Sequence, residues 1–141
     1  MNLIQFFNAV TTNGGASYNI TTGEYNPANG YFVSLPNNEI QIPLKDFHEN
    51  HLKRYIRDNN ELLSTNYNFL GGWIDNGIVY LDISQQFDDK RFALTLAVNS
   101  GQLAIYDANA KECIYLPLPQ KSGTYTQQRA YLTYKINELC K

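Results

Sequence analysis

The stretch of sequence that decides the fold is GGWIDNGIVYLDIS, residues 71–84. Asn76 and Gly77 form the residue pair that best tolerates positive φ at both central positions of a type I′ turn. The twist of that turn also matches the twist of the strands that it joins. The stretch therefore predicts a β-hairpin whose strands cover about residues 69–75 and 78–84.

Apolar spacing and turn-forming residues predict further elements on both sides of the hairpin. Asp46 and Glu49 have the spacing of a capping box and should begin a long helix. Asp88 or Asp89 should cap the next helix, which should turn four apolar side chains toward the core: Phe92, Ala93, Leu96 and Ala97. The remaining predicted elements are helices over about 2–10 and 124–140 and strands over 16–20, 31–35, 40–44, 103–106 and 113–116.

Hairpins dominate this order of elements. The strands at 31–35 and 40–44 should pair with each other across a short turn, and Pro43 should restrict the second strand to an edge or a short length. We therefore predict an α+β fold, with a mostly antiparallel sheet built from β-hairpins and two or three packed helices. We expect a single domain over residues 1–141, in which residues 118–123 could act as a short linker to a C-terminal helix.

The composition fits a folded protein and indicates no charged partner. The chain has 141 residues, of which 43% are hydrophobic and 17% charged, and its formal net charge is −2. A non-specific nucleic-acid binder usually carries a basic face, so nucleic acid is not indicated. No apolar run reaches the roughly 20 residues that span a bilayer, and no signal peptide is evident. Cys113 and Cys140 suggest no disulfide framework, so we expect a cytoplasmic protein with reduced thiols.

Two histidines, His48 and His51, resemble part of a zinc-protease motif but have the wrong spacing. That motif places its histidines at i and i+4, so that both imidazoles leave one face of a helix. Here they are three residues apart. We interpret them as exposed residues in the first turns of a helix, and we expect no metal and no cofactor.

One set of polar residues could form a ligand site. Gly14 and Gly15 precede Ser17 in a glycine-rich turn, and such turns can bind anions through backbone N–H groups. Asp82 and Ser84 share one face of the predicted hairpin and could line a cleft. However, no lysine follows the glycines at the spacing of a phosphate-binding loop. The plainer interpretation is a helix stop with a tight turn and a solvated strand face.

Eleven tyrosines are more than a core of this size can absorb. Tyrosine is enriched at protein interfaces because it supplies contact area and a hydrogen bond at low entropic cost. Two groups near the ends of the chain are the candidate partner surface: Tyr18, Tyr25, Tyr125, Tyr131 and Tyr134. The last two flank the apolar seam of the final helix, so a homodimer is an alternative use of that surface.

Three blocks of the chain resemble small uncharacterised proteins of bacteriophages and other mobile elements. They lie within residues 14–34, 71–84 and 102–107. The resemblance implies a protein made by a phage or plasmid inside a bacterium, and it transfers no catalytic residue. Small phage accessory proteins often block host defences by binding a defence protein, as anti-CRISPR proteins do.

Two functions follow from the sequence and the resemblance. The leading hypothesis is a non-catalytic inhibitor that binds a bacterial host defence protein. The alternative is a small enzyme, or a nucleotide- or ligand-binding domain, that uses the Gly14-Gly15 loop with Asp82 and Ser84. A virion or DNA-handling accessory role stays open. An enzyme should have one concave site where the polar side chains converge, whereas an inhibitor needs an exposed binding surface.

Overall fold

The computed structural model describes residues 2–117 and 124–141. The strand pairs described below are antiparallel. The predicted α+β fold with a mostly antiparallel sheet is therefore confirmed. The described ranges contain five α-helices rather than two or three, and α3 is only a single turn. The elements are α1 Leu3–Asn13, β1 Gly15–Tyr18, β2 Tyr31–Ser34, β3 Ile40–Pro43, a 3₁₀ turn Leu44–Asp46, α2 Glu49–Asp58, α3 Asn60–Leu63, β4 Asn68–Asp75, β5 Ile78–Phe87, α4 Lys90–Asn99, β6 Ala104–Asp107, β7 Glu112–Tyr115 and α5 Tyr125–Leu139.

The predicted hairpin between β4 and β5 forms with the expected turn. Asn76 has a φ of 50° and Gly77 a φ of 74°, and a type I′ turn requires positive values at both positions. Every residue of β4 has a partner in β5, from Asp75 beside the turn to Asn68 at the far end. The local turn chemistry therefore sets the register of the longest strand pair.

The chain divides into two compact units, and each has its own core. The first consists of Met1–Pro27 and Leu35–Gln86, and in it β4 lies between β1 and β5. α1 packs closely on β4, because a Cβ at Gly72 would lie 2.9 Å from Val10 Cγ2. The core of this unit contains Phe6, Val10, Ile42, Phe47, Leu52, Tyr55, Leu63, Leu70, Val79, Leu81 and Ile83.

The second unit consists of Ala28–Ser34 and Phe87–Lys141. β6 pairs with β2 and with β7, and residues of α4 and α5 form a core with these strands. That core contains Val33, Ala93, Leu94, Ala97, Ile105, Leu116 and Ile136. A single domain over the whole chain stays a prediction, and the expected linker at 118–123 lies outside the described residues.

The partner predicted for the strand at 40–44 is wrong. β3 pairs with β5, with Ile42 opposite Val79, while β2 pairs with β6. Pairing with β5 places the side chain of Ile42 in the first core. Pro43 ends β3 after four residues, as expected of a residue that cannot donate to a strand ladder.

The long helix predicted from Asp46 begins three residues later, at Glu49. His48 is its N-cap, and Asp46 instead ends a 3₁₀ turn. The helix is also divided at Asn59 into α2 and α3. An Asp-x-x-Glu spacing alone therefore misplaced the start, because the imidazole side chain of His48 supplies the acceptor that the first backbone N–H groups need.

The inward face of α4 also differs from the prediction. Phe92 is 57% exposed, and its ring lies 5.2 Å from the ring of Phe87. Leu94 takes the buried position instead, beside Ala93 and Ala97. Both sets of residues have helical spacing, so the periodicity did not distinguish them.

Candidate functional site

Ser17, Gly71 and Asp82 form a row across β1, β4 and β5. Ser17 lies directly opposite Gly71, and Gly71 lies directly opposite Asp82. Residues paired in this way have their side chains on the same face of a sheet. Two residues of the proposed ligand site, Ser17 and Asp82, therefore share a face, two strands apart.

The space that a side chain at position 71 would occupy is filled by the carboxylate of Asp82. A Cβ at Gly71 would lie 2.2 Å from Asp82 Oδ1, so the carboxylate lies over the glycine. Asp82 is only 5% exposed. The sequence indicated Asp82 as a candidate but gave no sign that Gly71 would be the residue that makes room for it.

The next row on this face is aromatic. Trp73 lies opposite Tyr80, and their rings are stacked with centroids 5.3 Å apart and planes 7° from parallel. Gly15 continues the row on β1. The face thus combines a buried carboxylate with a stacked aromatic pair, of which Trp73 is partly exposed.

The backbone of the predicted glycine loop is used by the fold. Gly14 has a φ of 88° and donates its N–H to the carbonyl of Val10, which ends α1. Its own carbonyl accepts from Ile74 N. The N–H of Ser17 donates to Asn26 Oδ1 at 2.7 Å. The donors of Gly14 and Ser17 are therefore engaged within the fold, which fits the helix stop rather than an anion cradle.

Ser84 lies two residues beyond Asp82 on β5, opposite Phe69. Alternation places it on the same face as Asp82. Two of the surface cavities in the described part of the chain have volumes of about 440 Å³ and 240 Å³. Neither is lined by Ser17, Asp82 or Ser84. The polar residues share a face, but these cavities lie elsewhere.

The five predicted interface tyrosines fall in both units. Tyr18 and Tyr25 pair in a short antiparallel bridge of the first unit and are half-buried. In the second unit, Tyr131 is half-buried with the Lys135 ammonium 5.6 Å from its ring centroid, and Tyr134 is 59% exposed. Tyr125 begins α5, and its side chain is not among the described groups.

A further aromatic face lies on the β6–β7 hairpin. Tyr115 is 76% exposed and Tyr106 is 39% exposed. Their paired positions, Ala104 and Cys113, share this face, and Cys113 is also exposed. We name Tyr106 and Tyr115 with these two neighbours the hairpin face. The alternation of Ile105 and Ile114 with the two tyrosines is visible in the sequence and could have revealed it.

His48 and His51 cap α2 reciprocally. The N–H of Asn50 donates to His48 Nδ1 at 3.3 Å, and the N–H of His48 donates to His51 Nδ1 at 3.1 Å. Both imidazoles therefore act as acceptors for the backbone, a role that the sequence analysis did not foresee. No group of three or more His, Cys, Asp or Glu side chains placed to hold a metal occurs among residues 2–117 and 124–141.

Tyr55 is the titratable group most affected by its surroundings. Its hydroxyl donates to the carbonyl of Asn38. Burial raises the pKa of the Tyr55 phenol above its ordinary value, and the charges of Asp82 and Glu39 raise it further. The phenol is thus held neutral, which makes it a buried hydrogen-bond donor rather than an acid for catalysis near neutral pH.

Comparisons with known proteins identify no relative. No protein-family model matches the chain, and no curated protein or solved structure matches it either. The resemblance to phage proteins therefore stays a prediction. None of the helices in the described ranges has the length and apolar character needed to cross a membrane.

Proposed function

We propose that this chain is a non-catalytic protein that binds another protein, and that the hairpin face is part of its contact surface. The observation that carries this proposal is the exposure of Tyr115 and Tyr106 together on one face of paired strands. Exposed aromatic side chains grouped in this way are typical of interaction surfaces. Leu103, which is 71% exposed just before β6, adds apolar area nearby.

The partner that we propose is a bacterial host defence protein, and the proposed outcome of binding is its inhibition. This part rests on the resemblance of residues 14–34, 71–84 and 102–107 to phage proteins, and the last block includes Tyr106. A protein that inhibits by covering a surface of its partner needs no catalytic group. This fits a chain in which the buried carboxylate of Asp82 packs over Gly71.

The alternative, a small enzyme or ligand-binding domain, is supported by the row of Ser17, Gly71 and Asp82. For this function the carboxylate would have to reach a substrate. Asp82 is nearly fully buried, with 5% of the residue exposed. We therefore place this proposal second.

A pull-down from bacterial lysate, read by mass spectrometry, tests the leading proposal. The bait variants are Tyr106→Ser and Tyr115→Ser, and the matched control is Tyr67→Ser, which removes an exposed tyrosine of the first unit. Truncation of an interface hot spot costs about 2 kcal/mol or more, so retention should fall by more than about tenfold. A protein retained equally by the wild-type chain and by all three variants would count against the hairpin face.

Light scattering separates partner binding from self-association. If the chain is a dimer that dissociates on Tyr134→Ala, the exposed Tyr134 of α5 mediates contact between two copies. If the wild-type chain has the mass of a monomer, the homodimer alternative is wrong. The result does not depend on the pull-down, because no host protein is present.

A further inference from the structure

The chain contains three Asn-Gly pairs, at residues 13–14, 29–30 and 76–77. In such a pair the backbone nitrogen of the glycine can attack the side-chain amide of the asparagine, because glycine has no Cβ to obstruct the approach. All three asparagines are exposed to solvent. Exposure of the asparagine therefore does not distinguish the pairs, and the state of the glycine N–H becomes the deciding feature.

Two of the pairs have their glycine N–H engaged in a hydrogen bond. The N–H of Gly14 donates to the carbonyl of Val10 at 3.1 Å, at the end of α1. The N–H of Gly30 donates to Asn109 Oδ1 at 3.3 Å, and Gly30 is itself buried. The attacking nitrogen must first lose its proton. A hydrogen bond that holds this proton therefore protects the asparagine that precedes it.

The third pair forms the turn between β4 and β5, and its glycine N–H is not engaged. Within residues 2–117 and 124–141, no acceptor is bonded to the N–H of Gly77. Gly77 is exposed, and apart from its chain neighbours no atom lies within 4 Å of the position that a Cβ would take. The carbonyl of Gly77 is held instead, since it accepts from Leu44 N at 2.9 Å. Of the three pairs, this one can lose the glycine proton without breaking a hydrogen bond of the fold.

We propose that Asn76 is a site of spontaneous deamidation, and that it is modified faster than Asn13 and Asn29. The Gly77 nitrogen gives its proton to hydroxide and forms a bond to Asn76 Cγ. The bond between Cγ and Nδ2 breaks, and Nδ2 leaves as ammonia after taking a proton from water. Water then opens the resulting succinimide ring at either of its carbonyl carbons. The products are aspartate and isoaspartate, and nothing is oxidised or reduced.

The two products affect the hairpin differently. Aspartate before Gly77 is compatible with a type I′ turn. Isoaspartate carries the main chain through its Cγ and so adds one carbon to a turn whose length sets the strand register. The added carbon therefore disturbs the pairing of Asp75 with Ile78. Either product makes the chain one unit more negative than its formal net charge of −2.

The reference for the aspartate product is the variant Asn76→Asp, which should keep a urea midpoint close to that of the wild-type chain. Aged chains that carry isoaspartate at residue 76, separated by ion exchange, should unfold at a lower urea concentration than this variant. Equal midpoints for the two would overturn the proposed effect on the hairpin.

The hydrogen bond of Gly30 can be removed to test its protecting role. Asn109→Ala deletes the acceptor of the Gly30 N–H, so the deamidation rate at Asn29 should rise several-fold while the rate at Asn76 stays unchanged. Circular dichroism shows that the variant is folded. An unchanged rate at Asn29 would show that the engaged N–H does not protect this pair, and the basis of the proposal would fail.

Incubation of the full chain at mildly alkaline pH, followed by peptide mapping with mass spectrometry, measures all three rates in one sample. In the native chain Asn76 should deamidate several-fold to about tenfold faster than Asn13 and Asn29, which is the effect of one hydrogen bond on a rate. In urea the three rates should become similar, because the hydrogen bonds of the fold are then absent. The proposal is wrong if Asn13 or Asn29 reacts as fast as Asn76 in the native chain, or if Asn76 stays unmodified.

Discussion

Replacement of Gly71 by alanine should destabilise the first unit strongly, although it adds a single methyl group. The new Cβ would lie 2.2 Å from Asp82 Oδ1 and 3.4 Å from Asp82 Cγ. The first distance is far inside van der Waals contact, so the carboxylate must move by about 1 Å or more. The Asp82 side chain is itself nearly fully buried, with 5% of the residue exposed, so it has little room to move.

The cost has two parts. Insertion of an extra carbon into a well-packed site costs about 1–3 kcal/mol. Displacement of a buried polar side chain from its partners costs a further 1–3 kcal/mol, approximately. We therefore expect the free energy of unfolding to fall by about 2–6 kcal/mol, a large part of the roughly 5–15 kcal/mol that stabilises a typical domain.

Urea unfolding followed by circular dichroism measures this loss. The matched control is Gly15→Ala on the same sheet face, where the nearest atom to the new Cβ is Gly72 O at 3.3 Å. It should cost less than about 1 kcal/mol. In an Asp82→Ala background, Gly71→Ala should cost no more than the control, because the clash is absent. Equal costs for Gly71→Ala with and without the Asp82 carboxylate would refute the reasoning.

Three further changes test other parts of the fold. Gly77→Val should lower the free energy of unfolding by about 1–3 kcal/mol through backbone strain alone. Gly77 has a φ of 74°, and no atom lies within 4 Å of the position that a Cβ would take. An unchanged melting temperature would contradict the assigned turn. His48→Ala should lower the free energy of unfolding by about 1 kcal/mol, because it removes the Nδ1 acceptor that caps α2. An unchanged urea midpoint in this variant would count against the His48–His51 cap. Tyr55→Phe should lower the free energy of unfolding by about 1 kcal/mol at pH 7, because the hydrogen bond to the carbonyl of Asn38 is lost. Burial raises the Tyr55 pKa in the native chain, so above pH 10.0 the unfolded phenol ionises first and wild-type stability falls. The urea midpoints of wild type and Tyr55→Phe should therefore converge as the pH rises, and a constant difference would be inconsistent with this.

The parts of the fold that the sequence predicted are those encoded locally. The Asn76-Gly77 turn determines its own hairpin, because both residues must accept positive φ wherever the strands go. The end of α1 at Gly14 was predictable for a similar reason. The start of α2 was not, because a histidine rarely serves as the cap and a more typical capping residue, Asp46, lies just before it.

The arrangement of the candidate site was not predictable from the sequence. Ser17 and Asp82 share a face only because β1 pairs with β4 in one particular register. A slip of one residue would move Ser17 to the other face, and nothing within β1 itself determines that choice. The exposure of Tyr115 was more predictable, because it alternates along β7 with Ile114, which is half-buried and packs against the second core.

The two adjacent glycines of β4 explain how this sheet accommodates close packing on both faces. Glycine in a central strand loses conformational entropy and contributes no packing of its own, so a pair of them needs compensation. Gly71 receives the Asp82 carboxylate on one face, and Gly72 receives Val10 and Phe6 of α1 on the other. Successive residues of a strand point to opposite faces, so one Gly-Gly pair admits a buried polar group and a closely packed helix at the same point. The same pair that appeared in the sequence only as the beginning of a hairpin therefore positions both the core and the candidate site.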